Sequence, residues 1–449
     1  MAEPTADQPP PPSRGEHFSF GAIAHDDGVI RFEFHCSRFG QFTETVALRA
    51  ENAPRELLNL LHVALGVSTY KAAAARGVAL PPLGPSGRAM AEALYTEGLA
   101  EFFVRSGLSY PPDTAFSGEI VAAATGDAAA PTKRPNTQPL VAFGGGKDSY
   151  VARAVAQKAY GAEPELVSVI LSDRVGSALQ EMAPTKLKLL KRQLDPRLLT
   201  LNGAFNGHVP ITAINMLLML IWGYTEGKGP ILFANERSAD EPTMQLEGGV
   251  SANHQFSKSS AFEALLREAV REASPNAPDV YSVLRPFSEL WIGAQFTHIK
   301  DAFGRFSSCN RNFQMAAGST RRWCGACAKC AFTSLILSPR LSEDEALTIF
   351  GQNMLNQDAL MPFFESILGL SRHKPWDCVG TINESRAALW QLSQTAAWQN
   401  TKAVKTFLPK VLEQENVSQL RQHAENAMVP DGRGALPDHL YQAAIRARS

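Results

Sequence analysis

The middle of the chain alternates short apolar runs with segments in which apolar side chains recur at helical spacing. Short apolar runs bounded by polar turns predict strands, and strands that alternate with helices predict a doubly wound parallel α/β sheet. In such sheets ligands bind beyond the carboxyl ends of the strands. The predicted strands are LVAF, ELVSVIL, LLTLN and PILFANE, and the predicted helices between them are Tyr150–Lys158, Thr185–Arg192 and Ile211–Tyr224.

The flanking regions have different patterns. Alternating apolar and polar residues in IRFEF (30–34) and FTETVA (42–47) predict a small strand pair, and helical patterns follow it. From Leu341 the chain is helical in pattern and carries no catalytic signature. The predicted organisation is a disordered tail at 1–16, a smaller α+β domain at 17–116, a linker at 117–138, an α/β catalytic domain at 139–340 and a helical C-terminal region at 341–449.

Composition narrows the class of partner. The 43 Lys and Arg nearly balance the 44 Asp and Glu, which argues against nucleic acid as an obligatory partner. The densest basic run, KLKLLKR at 186–192, is predicted to be a solvated helix face. The proline-rich N-terminus lacks the apolar core of a signal peptide, and the most apolar segment, 211–224, is too short to cross a bilayer. We therefore expect a soluble cytoplasmic protein with neither a nucleic-acid nor a membrane partner.

The segment GGGKDS (144–149) has the composition of a phosphate-binding loop. It lies between a predicted strand and a predicted helix, where backbone N–H groups and the positive end of the helix dipole favour an anion. It is not a Walker A loop, because Val141 stands at the first glycine position and Asp148 follows Lys147. It is not a dinucleotide fingerprint either, because Ser149 stands at the last glycine position.

The same segment resembles the S-G-G-x-D-S loop of the N-type ATP pyrophosphatases (the PP-loop superfamily), with Gly in place of the opening Ser. Enzymes with this loop cleave ATP between the α- and β-phosphates and transfer AMP to an oxygen of the substrate. The glycines would let the backbone approach the phosphates, Asp148 would hold Mg²⁺, Ser149 would cap the helix and bond a phosphate, and Lys147 would compensate for the missing Ser. The expected ATP-binding residues are Gly144, Gly145, Gly146, Lys147, Asp148 and Ser149.

A second segment, PILFANERSADEPT (230–243), resembles the strand end that borders substrate and metal in this superfamily. Its matching polar residues are Asn235, Glu236 and Asp240. An ordinary polar loop after a strand would have the same composition, so the segment is a weaker indication than the glycine loop.

Four of the six cysteines indicate a metal site. Cys324, Cys327 and Cys330 form C-x₂-C-x₂-C, and Cys309 supplies a fourth thiolate upstream. Four thiolates suit a structural tetrahedral Zn²⁺, whereas Ser334 stands where a bacterial ferredoxin run would need its fourth Cys. The arrangement resembles the zinc site of QueC-type enzymes. The other two cysteines, Cys36 and Cys378, are interpreted as ordinary buried thiols.

Taken together, the segments after the tail resemble the MurL family of UDP-N-acetyl-α-D-muramoyl-L-alanyl-L-glutamate epimerases. The resemblance implies ATP-dependent epimerisation of the terminal L-glutamate of UDP-MurNAc-L-Ala-L-Glu, with release of AMP and diphosphate. It also implies, as a functional partner, a ligase that adds L-Glu to UDP-MurNAc-L-Ala. The segments that carry it are GGGKDS, FNGHVPITAIN (205–215), LFANERSADEPT (232–243), NHQFSKSSAFE (253–263), SVLRPFSELW (282–291), WCGACAKCAF (323–332) and HKPWDCVGT (373–381).

The residues that would move the α-proton are left open by the sequence. The acid/base candidates are His208, His254, Glu236 and Lys258, although either histidine could equally be structural. Substrate anions call for arginine, and Arg237, Arg285, Arg311 and Arg321 are candidates beside Asn235 and Asp240. Two alternatives remain: a QueC-like adenylating enzyme acting on a nucleobase or tRNA, and a nucleotide-binding sensor without turnover.

Overall fold

The computed structural model describes residues 12–122, 138–313, 322–371 and 374–446. Most of the predicted tail and linker, as well as Arg321 and His373, therefore lie outside the described residues. The chain forms two compact units, each built from segments that are not adjacent in sequence. The first comprises Met1–Arg134, Leu190–Gly227 and Phe262–Ala277, and the second comprises Pro135–Leu189, Lys228–Ala261 and Pro278–Ser449.

Within the described residues, no helix is long and apolar enough to cross a membrane. The strands are β1 (His17–Asp26), β2 (Val29–Cys36), β3 (Gly40–Val46), β4 (Gly77–Ala79), β5 (Ala115–Ser117), β6 (Leu140–Ala142), β7 (Glu165–Ile170), β8 (Leu187–Gln193), β9 (Ile231–Glu236), β10 (Met244–Gln245), β11 (Ser251–Ala252) and β12 (Val280–Leu284). The helices are α1 (Arg55–Ala73), α2 (Pro85–Tyr95), α3 (Ala100–Arg105), α4 (Lys147–Tyr160), α5 (Asp173–Met182), α6 (Ile211–Glu226), α7 (Ser260–Ala273), α8 (Glu289–Phe296), α9 (Ala328–Leu337), α10 (Glu343–Phe350), α11 (Met361–Ile367), α12 (Ile382–Ser393), α13 (Lys402–Leu412), α14 (Val417–Ala427) and α15 (Asp438–Ile445).

The first unit is built on an antiparallel β1–β2–β3 meander. The predicted strand pair is confirmed as β2 and β3, which pair from Ile30↔Val46 to Cys36↔Gly40, and β1 extends it. The alternation along β2 buries one face of the strand. Helix α1 packs on β1 and β2 and is buried along almost its whole length, since α2 and α6 also pack against it.

Two predictions for the segment after β7 are wrong. The basic run at 186–192, predicted as a solvated helix face, is strand β8, and the helix there is α5, capped by Ser172. The run LLTLN is not a strand, because Asp195 accepts the Arg197 backbone N–H (3.0 Å) and starts a short 3₁₀ turn, Pro196–Leu199. The end of β8 pairs with β3, and the Arg192 guanidinium donates a hydrogen bond to the buried Glu44 carboxylate. Tertiary partners therefore override the local helical pattern.

The Glu44–Arg192 pair provides a stability test in the first unit. Both side chains are buried, and the Arg192 guanidinium also donates to Ser68 Oγ at 2.8 Å. We expect Glu44→Ala to lower the free energy of unfolding by about 3–5 kcal/mol, because it leaves a buried guanidinium without its counter-charge. Urea unfolding measures the change. The matched control is Asp26→Asn in the exposed Asp26–Arg31 pair, which should cost at most about 1 kcal/mol; equal effects would contradict the prediction.

The second unit contains a parallel sheet in the order β7–β6–β9–β12. The predicted strands LVAF, ELVSVIL and PILFANE are confirmed as β6, β7 and β9, and the predicted helical region after Leu341 is confirmed in α10 to α15. The chain passes from β6 to β7 on one side and returns to β9 on the other side. The carboxyl ends of β6 and β9 therefore flank a topological switch point, which is where ligands bind in open α/β sheets.

Candidate functional site

The glycine loop lies at this switch point, between β6 and α4. Gly145 has a left-handed φ of 74°, and a Cβ there would lie 2.6 Å from Met182 Sδ. At Gly144, in contrast, a Cβ would meet no described heavy atom within 4 Å. The Ser149 hydroxyl donates to the Gly146 carbonyl at 2.7 Å, so it closes the first turn as a donor instead of capping the helix as predicted. The loop backbone is therefore open at Gly144, near a helix N-terminus.

The first two residues of α4 form a buried charge cluster with Glu289. The Lys147 ammonium bonds the carboxylates of Asp148 and Glu289. Burial by itself would lower the pKa of Lys147, but the two carboxylates outweigh burial and raise it. Burial raises the pKa of Glu289 to about 7, although Lys147 opposes the shift.

Asp148 is the member of this cluster that reaches solvent, with 25% of its side chain exposed. Burial opposes ionisation of Asp148, but Lys147, Lys329 and Lys258 outweigh burial and lower its pKa. It is therefore a carboxylate at neutral pH, at the edge of the open glycine loop. Lys329 was not identified from the sequence, although it lies inside the CGACAKC motif.

The predicted substrate segment ends β9, the strand beside β6. Asn235 donates to Ser282 Oγ at 2.9 Å, and the buried Glu236 lies 3.4 Å from the Ser238 hydroxyl, which donates to it. Since parallel strands β6 and β9 are neighbours, their carboxyl ends place both predicted polar segments at the same edge of the sheet. The structure therefore brings together the two segments that the sequence analysis had selected separately.

Arg285 and Asp240 hold the end of β9 against the turn that carries Lys258. The Arg285 guanidinium donates to the backbone carbonyls of Glu236 (2.9 Å) and Lys258, and it lies 3.8 Å from Asp240. Asp240 accepts the backbone N–H of Ser260 at 2.6 Å, where α7 begins. The contacts of both residues position Lys258, and their predicted role in binding substrate stays a prediction.

Three further predicted residues have surroundings of their own in the structure. Arg237 bonds Asp431 at 2.9 Å and the Val429 carbonyl at 3.4 Å, so it holds the segment before α15. His208 belongs to the first unit, where its Nδ1 lies 3.2 Å from the Glu101 carboxylate. Arg311 is exposed.

Cys378 is not the buried thiol that the sequence analysis expected. It is partly exposed, and its Sγ lies 3.7 Å from His254 Nε2, whereas Cys36 is buried as predicted. The Lys258 ammonium acts electrostatically on the Cys378 sulfur, and Lys329 donates a hydrogen bond to the Cys378 carbonyl. Burial opposes ionisation of the thiol, but Lys258 and His254 outweigh burial and lower the pKa of Cys378 to about 7.

The four predicted metal ligands converge. The sulfur atoms of Cys309, Cys324, Cys327 and Cys330 all lie within 4.8 Å of one another, with Cys330 at 3.8 Å from Cys324 and 3.5 Å from Cys327. A zinc ion bound at about 2.3 Å to four sulfurs requires tetrahedron edges of about 3.8 Å, so the donor set fits. Hydrogen bonds from Cys327 and Cys330 lower the pKa of Cys309. The identity of the metal stays a prediction.

The cysteine cluster also supports the glycine loop. The Ser307 backbone N–H donates to the Gly145 carbonyl at 3.0 Å, and the Cys309 N–H donates to Ser307 Oγ at 3.1 Å. A Cβ at Gly146 would lie 2.9 Å from Ser308 Oγ, which leaves no room for a side chain there. A metal bound to Cys309 would therefore fix the segment that positions the loop.

Comparisons with known proteins cover nearly the whole chain. Two family models match it, the MurL N-terminal domain over residues 11–283 and the MurL C-terminal domain over residues 305–422. Two relatives named UDP-N-acetyl-alpha-D-muramoyl-L-alanyl-L-glutamate epimerase are similar to it. The relative from Salinispora tropica is 36% identical over 89% of this chain and 87% of its own length. The relative from Xanthomonas oryzae pv. oryzae is 34% identical over 94% of each chain. No solved structure matches the chain.

Proposed function

Since the chain belongs to the MurL family, we propose that it epimerises the terminal L-glutamate of UDP-MurNAc-L-Ala-L-Glu to D-glutamate during synthesis of peptidoglycan precursors. The observation that carries this proposal is the similarity, at 34–36% identity, to relatives named as epimerases of that muramoyl dipeptide. The relatives' names support an isomerase with a small-molecule substrate. A ligase that adds L-Glu to UDP-MurNAc-L-Ala would supply this substrate.

We further propose that the epimerisation consumes ATP through an acyl-adenylate. Removing a proton beside a free carboxylate is difficult, because the carbanion would place negative charge next to an existing anion. Adenylation neutralises the carboxylate and turns its carbonyl into an electron sink, so that a positioned base can remove the α-proton. Reprotonation on the other face and hydrolysis would give the D-product with AMP, after diphosphate had left in the first step.

The residue roles in this proposal are the ones predicted from the sequence. Residues 144–149 would bind ATP, and Asp148 would hold Mg²⁺, whose charge would offset that of the phosphates. Around the muramoyl dipeptide, His208, His254, Glu236 and Lys258 are the proposed acid/base groups, and Asn235, Arg237, Asp240 and Arg285 are the proposed substrate contacts. The four cysteines would hold a structural zinc, since four protein ligands leave no open coordination position.

The direct test is an assay of both products. The chain is incubated with ATP, Mg²⁺ and UDP-MurNAc-L-Ala-L-Glu; AMP and diphosphate are measured, and the chirality of glutamate is read after acid hydrolysis. We expect D-Glu to appear together with AMP. AMP without D-Glu would instead favour an adenylating ligase, and the absence of both products would reject the proposed function.

A further inference from the structure

The acid/base candidates of the second unit differ in how well each could accept a proton near neutral pH. Lys258 is unsuited to act as a base, because Cys378, Glu236 and Asp148 outweigh its burial and raise its pKa. Glu236 is buried and accepts a hydrogen bond from Ser238, and Glu289, a further carboxylate nearby, is buried and held by Lys147. The Cys378 thiol, in contrast, is partly exposed. Its sulfur lies within hydrogen-bonding distance of the His254 imidazole and near the Lys258 ammonium.

We propose that Cys378, paired with His254 and held beside Lys258, is the base that removes the α-proton of the adenylated glutamate. This inference rests on the proposed function, since it assigns a step within it. It also gives the C-terminal helical region a role, because Cys378 stands in the segment that leads to Thr381, the N-cap of α12.

Three groups take part in the proposed proton transfer. His254 Nε2, at 3.7 Å, accepts the thiol proton and leaves a thiolate, which the Lys258 ammonium stabilises. The thiolate then takes the α-proton: the S–H bond forms, the C–H bond breaks, and its electron pair moves to the acyl carbonyl oxygen. A solvent-exchangeable acid returns a proton to the opposite face. Each D-Glu formed in D₂O therefore carries one deuterium at Cα.

The segment around Cys378 is held in place by independent contacts. Lys329 of α9 bonds the Cys378 carbonyl, and the Cys378 N–H donates to Asp377 Oδ1 at 2.8 Å. A Cβ at Gly380 would lie 2.8 Å from Glu384 Oε2 and 3.0 Å from Glu289 Cγ, so the chain packs tightly against the charge cluster of the glycine loop. These contacts fix the thiol beside the same cluster that contains Asp148.

The test separates adenylation from proton transfer. For Cys378→Ala in D₂O, we expect D-Glu formation and deuterium at Cα to fall at least about a hundredfold, while diphosphate still appears in a single-turnover burst.

The matched control is Cys36→Ala, which removes a buried thiol of the first unit and should leave both products unchanged. Unchanged D-Glu formation by Cys378→Ala, or a glutamyl thioester on Cys378, would overturn the inference. If the parent chain itself releases no diphosphate, it is the proposed function that fails.

A second measurement does not depend on turnover or on tolerance of the alanine variant. The rate of iodoacetamide alkylation at Cys378 in the parent chain, read by mass spectrometry against pH, should rise through an inflection near 7. Among the described residues, the titratable groups that act on the thiol include Lys258, His254 and Lys329, and Asp377 accepts the Cys378 backbone N–H. Lys258→Met should move the inflection upward, because the ammonium favours the thiolate. An inflection at about 8.5, the value of an unperturbed thiol, would contradict the proposed ionisation.

Discussion

An Asp148→Asn variant should release AMP and diphosphate at least about a hundredfold more slowly than the parent chain. Asp148 carries a negative charge at neutral pH, reaches solvent and follows the open Gly144 in the same loop. Asparagine keeps the shape of the side chain but removes the charge that would hold Mg²⁺. Lys147 keeps Glu289 as a partner, so the fold should persist. Diphosphate release with ATP, Mg²⁺ and the muramoyl dipeptide measures the effect.

The matched control is Asp438→Asn in α15. Asp438 is also a carboxylate in the first turn of a helix whose N-cap makes no side-chain hydrogen bond, but it is exposed. We expect this variant to retain the parent rate. Similar rates for Asp148→Asn and the parent would remove Asp148 from the proposed ATP site.

Replacing Cys330 by Ser should have the largest effect on stability. Cys330 is fully buried, and its sulfur lies within 3.8 Å of both Cys324 and Cys327. Loss of one thiolate should abolish metal binding, which contributes folding free energy outright in structural sites. We expect less than one tenth of the parent's zinc per chain and a melting temperature lower by on the order of 10 °C. Elemental analysis of the purified protein and thermal unfolding measure the two changes.

The rate of diphosphate release should also fall when the metal is lost. The Cys309 N–H bonds the Ser307 hydroxyl, and the Ser307 N–H in turn bonds the Gly145 carbonyl of the glycine loop. The Cys36→Ala variant serves as the control, since Cys36 is a buried thiol far in sequence from the cluster and should keep the parent's zinc content. Parent-like zinc content and melting temperature in Cys330→Ser would contradict the four-thiolate site. Iron in place of zinc in the parent would contradict the identity of the metal.

Local chemistry was sufficient to predict the parts of the molecule whose neighbours in space are also neighbours in sequence. The strand, glycine turn and helix at residues 140–160 follow from an apolar run, a glycine triplet and helical periodicity, all within one short segment. The C-x₂-C-x₂-C spacing likewise brings three sulfurs together around a single helix start, the N-cap Cys327 of α9.

Where the predictions failed, a partner distant in sequence decided the outcome. KLKLLKR has helical periodicity by itself, but Glu44 and Ser68 provide a buried site for the Arg192 side chain in a strand. The two units combine non-adjacent segments, and no linear pattern indicates that 190–227 packs with the N-terminal part of the chain. Cys378 appeared ordinary because Lys258 and His254, more than a hundred residues away, lower its pKa only after folding.

The amino-acid sequence was therefore enough to predict the parallel α/β arrangement of the second unit, the glycine loop, the thiolate set and, through similarity, the family. Which charges surround each of these groups depends on how the chain folds. The pKa of Asp148 is lowered because three lysines from separate segments lie near it, whereas burial raises the pKa of Glu289. The pKa of the Cys378 thiol is lowered by the His254 imidazole and the Lys258 ammonium. These shifts arise on folding because electrostatic interactions depend on distance and burial, and both are set when the chain packs.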